Sequence, residues 1–217
     1  MKLGFEESSQ ADFDSGSQKA RVVSEAWAAK YAFCPNCGCD HLTKFGNNRP
    51  VADLFCVKCD EEFELKSQKA NFGAKVVDGA FRTMVERLSS DRNPNLMLMN
   101  YSLSSGVRNL LVVPKHFFAS DVIEERKPLA PTARRAGWVG CNILLSRIPE
   151  AGKIYIVRDA TVLDRNTVLD QWKARWALRT GYDDASGLSV RVNFHKDKDA
   201  LLKAGAIVIS KPYVWLS

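Results

Sequence analysis

Four cysteines constrain this chain more than any other feature. They form Cys34-Pro-Asn-Cys37 and Cys56-Val-Lys-Cys59, with eighteen residues between the two pairs. Two residues between thiolates make a tight turn that can bring both sulfurs within ~2.3 Å of one ion, and a second such turn completes a tetrahedron. A C-x₂-C pair, a gap of this size and a second C-x₂-C pair is the pattern of a zinc site. A closed shell of four thiolates leaves no position for water, so such a site is structural. The alternatives are disulfides or a redox dithiol. The start Met1-Lys2-Leu3-Gly4 leads into acidic residues, not the apolar core of a signal peptide, which argues against an oxidising compartment. A redox pair has no need of a second matching pair. Cys34, Cys37, Cys56 and Cys59 are therefore expected to hold Zn²⁺. Cys39 lies outside the pattern and reads as a neighbouring free thiol, and Cys141 as buried filler.

The zinc turns sit inside a chain of alternating strand and helix patterns. Residues 17–31 read as a helix with Ala20, Val23, Trp27 and Tyr31 on one face and Ser17 as its N-cap. Between the cysteine pairs, Pro50–Cys56 is an extended run, and the alternating Glu62–Lys66 is a strand paired with it. The period of Val77, Phe81, Met84, Val85 and Leu88 predicts an amphipathic helix over Ala74–Leu88. Leu96–Tyr101, Leu110–Val113 and Lys153–Val157 are apolar strands, Ala119–Glu125 a short helix, and Lys127–Gly140 a loop. A helix from Asp164 to Leu178 carries Val168, Leu169, Trp172 and Trp176, and Leu188–Ser217 reads as strand, short helix, strand. This order indicates an α/β domain with a mixed sheet flanked by helices. Residues 1–16, polar and rich in Ser, are expected to be a flexible arm. No run approaches a membrane span, so the expected location is the cytoplasm.

Charge points to the partner. The net charge is +6, and from Arg126 to Pro149 the chain holds Arg126, Lys127, Arg134, Arg135 and Arg147 with no Asp or Glu. An electropositive segment of this kind suits phosphates through charge and counterion release.

Asp53 stands on the first of the two paired strands, Glu64 on the second, and Lys66 two positions further on. Side chains alternate along a strand, so Glu64 and Lys66 share a face while Leu65 turns to the core. A hairpin then brings two carboxylates and an ammonium to one spot. Phosphodiester hydrolysis needs those groups: carboxylates hold Mg²⁺, the metal activates a bound water, and the lysine orients or deprotonates that water and stabilises charge on phosphorus. The competing reading is an ordinary solvated hairpin with a Glu–Lys pair. Glu61 and Glu62 are nearby alternative carboxylates, and Gln68, two past Lys66, could bind phosphate or water.

These residues carry a resemblance. Cys34-Pro-Asn-Cys-Gly, Asn47-Asn-Arg-Pro-Val-Ala-Asp53, Cys56-x-x-Cys59 and Glu61-Glu-Phe-Glu-Leu-Lys-Ser67 closely resemble the DpnI restriction endonuclease family, which includes the Dam-replacing proteins. So do Arg126-Lys-Pro-Leu-Ala-Pro-Thr-Ala-Arg-Arg-Ala-Gly-Trp-Val-Gly-Cys-Asn142, Ser17-Gln-Lys-Ala-Arg21 and Asn71-Phe72, over residues 17 to 180 or so. The resemblance implies a restriction-endonuclease-like PD-(D/E)xK core with a Cys₄ zinc insertion at 34–59. It implies a type II enzyme that cuts double-stranded DNA at GATC when the adenine is N6-methylated. Asp53, Glu64 and Lys66 match the family's catalytic positions, Asp53 and Glu64 its Mg²⁺ ligands, and Cys34, Cys37, Cys56 and Cys59 its zinc ligands. Lys127, Arg134, Arg135, Trp138 and Gln68 are the candidate DNA contacts. Trp138 could sense the methyl group, since an indole offers it an apolar face, or could serve in core packing. DpnI also has a C-terminal winged helix. Here residues 183–217 are expected to be a short extension of the 17–182 nuclease domain, in a monomer. Two other readings stand beside this one. A catalytically silent, zinc-stabilised module sensing adenine methylation would have no need of the Asp53–Glu64–Lys66 triad, and a structure-specific repair nuclease would have no need of the arginine-rich motif.

Overall fold

The computed structural model describes residues 1–6, 16–46, 51–180, 206–210 and 213–216. In chain order these form helix α1 (Gly16–Tyr31), strands β1 (Thr43–Lys44), β2 (Leu54–Phe55), β3 (Glu62–Gln68) and β4 (Lys75–Ala80), and helix α2 (Phe81–Leu88). Next come β5 (Asn95–Ser102), β6 (Gly106–Val113), β7 (Ile123–Glu125), β8 (Gly140–Leu144), β9 (Ile154–Arg158), β10 (Thr161–Val162) and helix α3 (Arg165–Thr180). An antiparallel hairpin of β11 (Ala206–Ser210) and β12 (Tyr213–Leu216) ends the description. The result is the mixed α/β arrangement expected from the sequence.

The main sheet has seven strands in the order β1-β2-β3-β5-β6-β9-β10. Its neighbours are antiparallel except β3 and β5, which run parallel. A parallel pair needs a crossover, and here the crossover carries β4 and α2 over one face of the sheet. β5 is buried from Asn95 to Tyr101; a strand covered on both faces reads as a continuous apolar run. Alternation divides its side chains between two cores. Met97 and Met99 pack with Trp27 and Ala28 of α1 and with Val168 and Trp172 of α3. Leu96 and Leu98 pack with Met84 and Leu88 of α2 and with Ile123 and Ile143 of a second, antiparallel sheet ordered β4-β8-β7. None of the described helices is long and apolar enough to cross a membrane.

Several expectations need correction. Ala74–Leu88 is not one helix. Its first half is β4, paired with β8 so that Val76 faces Ile143 and Asp78 faces Cys141. The adjacent β-branched Val76 and Val77, followed by Gly79, fit a strand, and the helical period survives only in α2, where Met84 and Leu88 are buried. Ala119–Glu125 is a single 3₁₀ turn, Ser120–Val122, followed by β7, because Ile123 pairs opposite Ile143 in the second sheet. The extended run before Cys56 shrinks to Leu54–Phe55, with Asp53 just ahead of it and Pro50 outside the described residues. Residues 1–6, expected in a loose arm, are docked. Val107 donates its N–H to the Leu3 carbonyl at 2.9 Å, Phe5 packs edge-on to Tyr101, and Glu6 accepts from Lys30 and Tyr31 at 2.6 Å. Gly106, at φ +85°, is required there, since a Cβ would stand 2.4 Å from the Leu3 carbonyl oxygen. The remainder of that arm, residues 7–15, and the strand and helix expected after Leu188 lie outside the described residues.

Ile156 of β9 is fully buried in the first core. Truncation there leaves a cavity beneath α3, so Ile156→Ala should destabilise the fold by about 2–5 kcal/mol. Urea unfolding should show a lower midpoint with an unchanged slope, and an unchanged midpoint would mean that this core does not carry the fold.

Candidate functional site

The two cysteine turns are near copies of each other. In the first, Gly38 donates to the Cys34 carbonyl at 2.9 Å and Cys34 donates to the Cys39 carbonyl at 2.8 Å. In the second, Asp60 donates to the Cys56 carbonyl at 2.8 Å and Cys56 donates to the Glu61 carbonyl at 2.9 Å. Each turn needs a left-handed residue at the same place, supplied by Gly38 (φ +72°) and Asp60 (φ +58°). Glycine adopts that conformation freely, and aspartate is among the side chains that tolerate it. The turns face each other, with Cys34 Sγ 3.6 Å from Cys59 Sγ and Cys37 Sγ 3.5 Å from Cys56 Sγ. Those separations are far beyond a ~2.05 Å disulfide. They are close to the spacing of sulfurs on a tetrahedron of ~2.3 Å radius. All four sulfurs lie within 4.8 Å of one another, so this cluster can hold a metal ion such as zinc. Cys39 stands outside it, and Cys141 is buried in the second core.

The second turn is also the connection between β2 and β3. Leu54 pairs with Phe63 and Phe55 with Glu62, and the Asp53 N–H extends the ladder to the Phe63 carbonyl at 2.9 Å. Asp53 Oδ2 then accepts the Leu65 N–H at 2.8 Å. On β3, Glu64 lies beside Leu96 and Lys66 beside Leu98, so both face the second core, whereas Leu65 packs in the first. The structure thus brings Asp53, Glu64 and Lys66 together in one cleft of about 540 Å³. Lys66 Nζ donates to Glu64 Oε1 at 2.5 Å. Burial pushes the Glu64 carboxyl up to about 7, against the pull of the Lys66 charge. Burial also raises Asp53, opposed by the Leu65 N–H and by Lys66. Burial alone would lower the Lys66 ammonium, but the charges of Glu64 and Asp78 and their hydrogen bonds outweigh it and raise its pKa. Lys66 is therefore held protonated.

Glu61 and Glu62 do not compete for this place. Glu62 pairs with Arg87, and with Arg92 at 2.7 Å, and Glu61 accepts from Asn95 at 2.8 Å. Gln68 caps the turn that follows β3, donating to the Ala70 and Asn71 carbonyls at 3.1 and 2.8 Å.

Beyond the expected residues, Asp78, Arg21 and Glu25 also line the cleft. Asp78 of β4 accepts from Lys66 Nζ at 2.6 Å; the Val76-Val77 pair beside it was the signal for a strand that would have turned it inward. Arg21 of α1 reaches Glu25 Oε1 at 2.5 Å and Asp53 Oδ1 at 3.2 Å, and Lys44 reaches Glu25 Oε2 at 3.2 Å. The first helix therefore supplies both a carboxylate and a cation to the cleft, at positions its apolar face did not reveal.

Lys127, Arg134 and Arg135 are exposed on the loop between β7 and β8, and Trp138 is half-buried there. The loop is folded on itself: Gly137 donates to the Leu129 carbonyl at 3.0 Å and Leu129 to the Trp138 carbonyl at 2.9 Å. The Arg135 guanidinium lies 4.5 Å from the centre of the Trp138 ring. The edge of that indole covers Gly140, where a Cβ would meet it at 2.8 Å. Gly140 pairs with Ala80, which lines the cleft, so the arginine loop rises from the rim of the site.

In comparison with known proteins, the family model described as DpnI: Dam-replacing family matches residues 1–181. That span contains the cysteine cluster, the cleft and the arginine loop.

A bound ion would tie the β2–β3 turn to the segment that follows α1, and site formation of this kind is coupled to folding. Elemental analysis of freshly purified protein should find about one equivalent of a thiolate-bound metal per chain. Cys56→Ala should lose it together with several kcal/mol of stability; metal-free protein of undiminished stability would contradict this.

Proposed function

The chain belongs to the DpnI, Dam-replacing family, and from that premise we propose that it is a Mg²⁺-dependent type II restriction endonuclease. Family membership implies a methylation-dependent restriction endonuclease whose partner is DNA. The finer reading is hydrolysis of double-stranded DNA at GATC sites carrying N6-methyladenine, by a nuclease domain spanning 17–182 and acting as a monomer on cytoplasmic DNA. The observation that carries it is the convergence of Asp53, Glu64 and Lys66 in one cleft. A silent methyl-DNA-binding module would have no use for a buried carboxylate, Glu64, beside a half-buried carboxylate and ammonium, Asp53 and Lys66, which cost stability.

Asp53 and Glu64 suit a hard divalent cation, being carboxylates on one cleft wall, each with an oxygen not taken by the backbone. Mg²⁺ bound there would polarise the phosphate, activate a water and offset charge on the leaving oxygen. Lys66, protonated between two carboxylates, presents fixed positive charge to the phosphoryl oxygens as negative charge grows on them. That favours water orientation and charge stabilisation over proton abstraction as its role. Arg21, already beside Asp53, adds a second cation to the same wall. Zn²⁺ held by Cys34, Cys37, Cys56 and Cys59 would be structural, fixing the hairpin that carries Asp53 and Glu64.

On this reading Lys127, Arg134 and Arg135 contact phosphates or guanine edges, and Trp138 contributes an apolar surface near the methyl group. That indole already packs against Gly140 and Arg135, so it acts as a wedge that shapes the loop as well as a contact. Gln68 is left its amide oxygen for DNA or water, since its nitrogen serves the turn.

Two outcomes test this reading. Asp53→Ala or Lys66→Ala should abolish cleavage while DNA binding, measured in Ca²⁺, and folding persist; near-normal cutting by either variant would move the active site elsewhere. Matched methylated, hemimethylated and unmethylated GATC oligonucleotides at fixed salt should be cut in that order of preference, with roughly 1–3 kcal/mol of discrimination per base pair read. Equal cleavage of all three would leave a nuclease without a methyl sensor.

A further inference from the structure

Lys66 is the only described cation held by carboxylates from two different sheets. Glu64 Oε1 takes its Nζ from β3 at 2.5 Å, and Asp78 Oδ1 takes it from β4 at 2.6 Å. Asp78 is itself oriented, because the same Oδ1 accepts the Gly79 N–H at 2.6 Å. Its side chain is only 9% exposed, and its second oxygen, Oδ2, is buried without a hydrogen-bond partner among the described residues. A buried carboxylate with an unsatisfied oxygen costs stability. An apolar residue facing Cys141 in that ladder would serve the fold better, so packing does not account for Asp78.

Geometry accounts for it. A lysine ammonium is a point charge on a flexible four-carbon stem with three donors. Tied to Glu64 alone, Nζ could swing about that one contact. Tied also to Asp78 it is fixed from two directions, with one N–H left for the cleft. We propose that Asp78 is a positioning residue of the hydrolytic reaction, clamping Lys66 Nζ against Glu64 so that its remaining N–H meets the reacting phosphate. Asp78 does not itself touch substrate. The clamp also joins the two parts of the molecule: Asp78 lies two residues from Ala80, which pairs with Gly140 at the root of the arginine loop, so a shift of that loop on DNA is felt at Nζ.

The proposal rests on the nuclease reading above, and its test separates the two. Single-turnover cleavage of methylated duplex is measured for the full chain, for Asp78→Ala and for Asp78→Asn, with duplex affinity in Ca²⁺ and melting temperature alongside. Asp78→Ala should cut on the order of a hundredfold more slowly, the scale of a misplaced catalytic group, with affinity unchanged. Asp78→Asn keeps an acceptor for Gly79 and for Nζ but loses the charge, and should be slower by about tenfold; it carries the test if the alanine variant does not fold. The direct readout of position is the Lys66 ammonium resonance in ¹⁵N-labelled protein, identified by its loss in Lys66→Ala. It should be protected from exchange in the parent chain and exposed in both Asp78 variants. Parent-like cleavage by folded Asp78 variants overturns the proposal, as does slower cleavage with an unchanged Lys66 resonance, which would make Asp78 merely structural. A parent chain that cuts nothing overturns the nuclease reading and this proposal with it.

Discussion

The closure of the β2–β3 turn by four sulfurs is the constraint on which the rest of the site depends. Strand β2 has only two residues, Leu54 and Phe55, too few to hold a hairpin in register by ladder bonds alone. The turn that follows is built around Cys56 and Cys59, whose partners Cys34 and Cys37 come from the segment between α1 and β1. Once that turn is closed, the Asp53 N–H meets the Phe63 carbonyl and the Asp53 carboxylate meets the Leu65 N–H. A one-residue slip of this register would turn Glu64 and Lys66 to the other face of the sheet. The cysteine cluster thus secures the position of the acidic cleft without touching it.

Inside the cleft the physics reverses, since charge is concentrated where burial penalises it. Glu64 is pushed up by burial to about 7, and Lys66 keeps its proton because carboxylates surround it. Such an arrangement is worth little to folding compared with apolar packing; on the proposed reading it would present preorganised charge to a phosphodiester, where water would otherwise have to reorganise. Arg21 from α1 and the arginine loop beside β8 extend the same positive character outward from the half-buried lysine to the exposed rim.

Features with a local chemical signature were legible in the sequence. The cysteine spacing, the alternation of Glu62–Lys66, the apolar run of β5 and the faces of α1 and α3 all appear in the structure with small shifts of boundary. What escaped was decided by partners distant in sequence. The 3.6-residue period through Val77, Phe81 and Met84 was real, but β4 forms because β8, more than sixty residues later, offers Ile143 and Cys141 across the ladder. With β4 misread as helix, Asp78 had no reason to face Lys66, and the two-sheet clamp was invisible. Glu25 and Arg21 were hidden differently, as polar positions on a helix whose buried face drew attention to Val23 and Trp27. The docking of residues 1–6 depends on Gly106 and Tyr101, again far along the chain.

The cleft and the arginine loop meet at one pair, Ala80 and Gly140, and on the proposed reading DNA gripped by the loop would be delivered there to the Asp53–Glu64 carboxylates. Anomalous diffraction from crystals of the full chain with a methylated duplex, recorded at the manganese edge after Mn²⁺ replaces Mg²⁺, tests this most directly. The expected result is a manganese peak shared by Asp53, Glu64 and a backbone phosphate, with the duplex running past Arg134, Arg135 and Trp138. A manganese peak away from those carboxylates, or a duplex seated on another face, would contradict it.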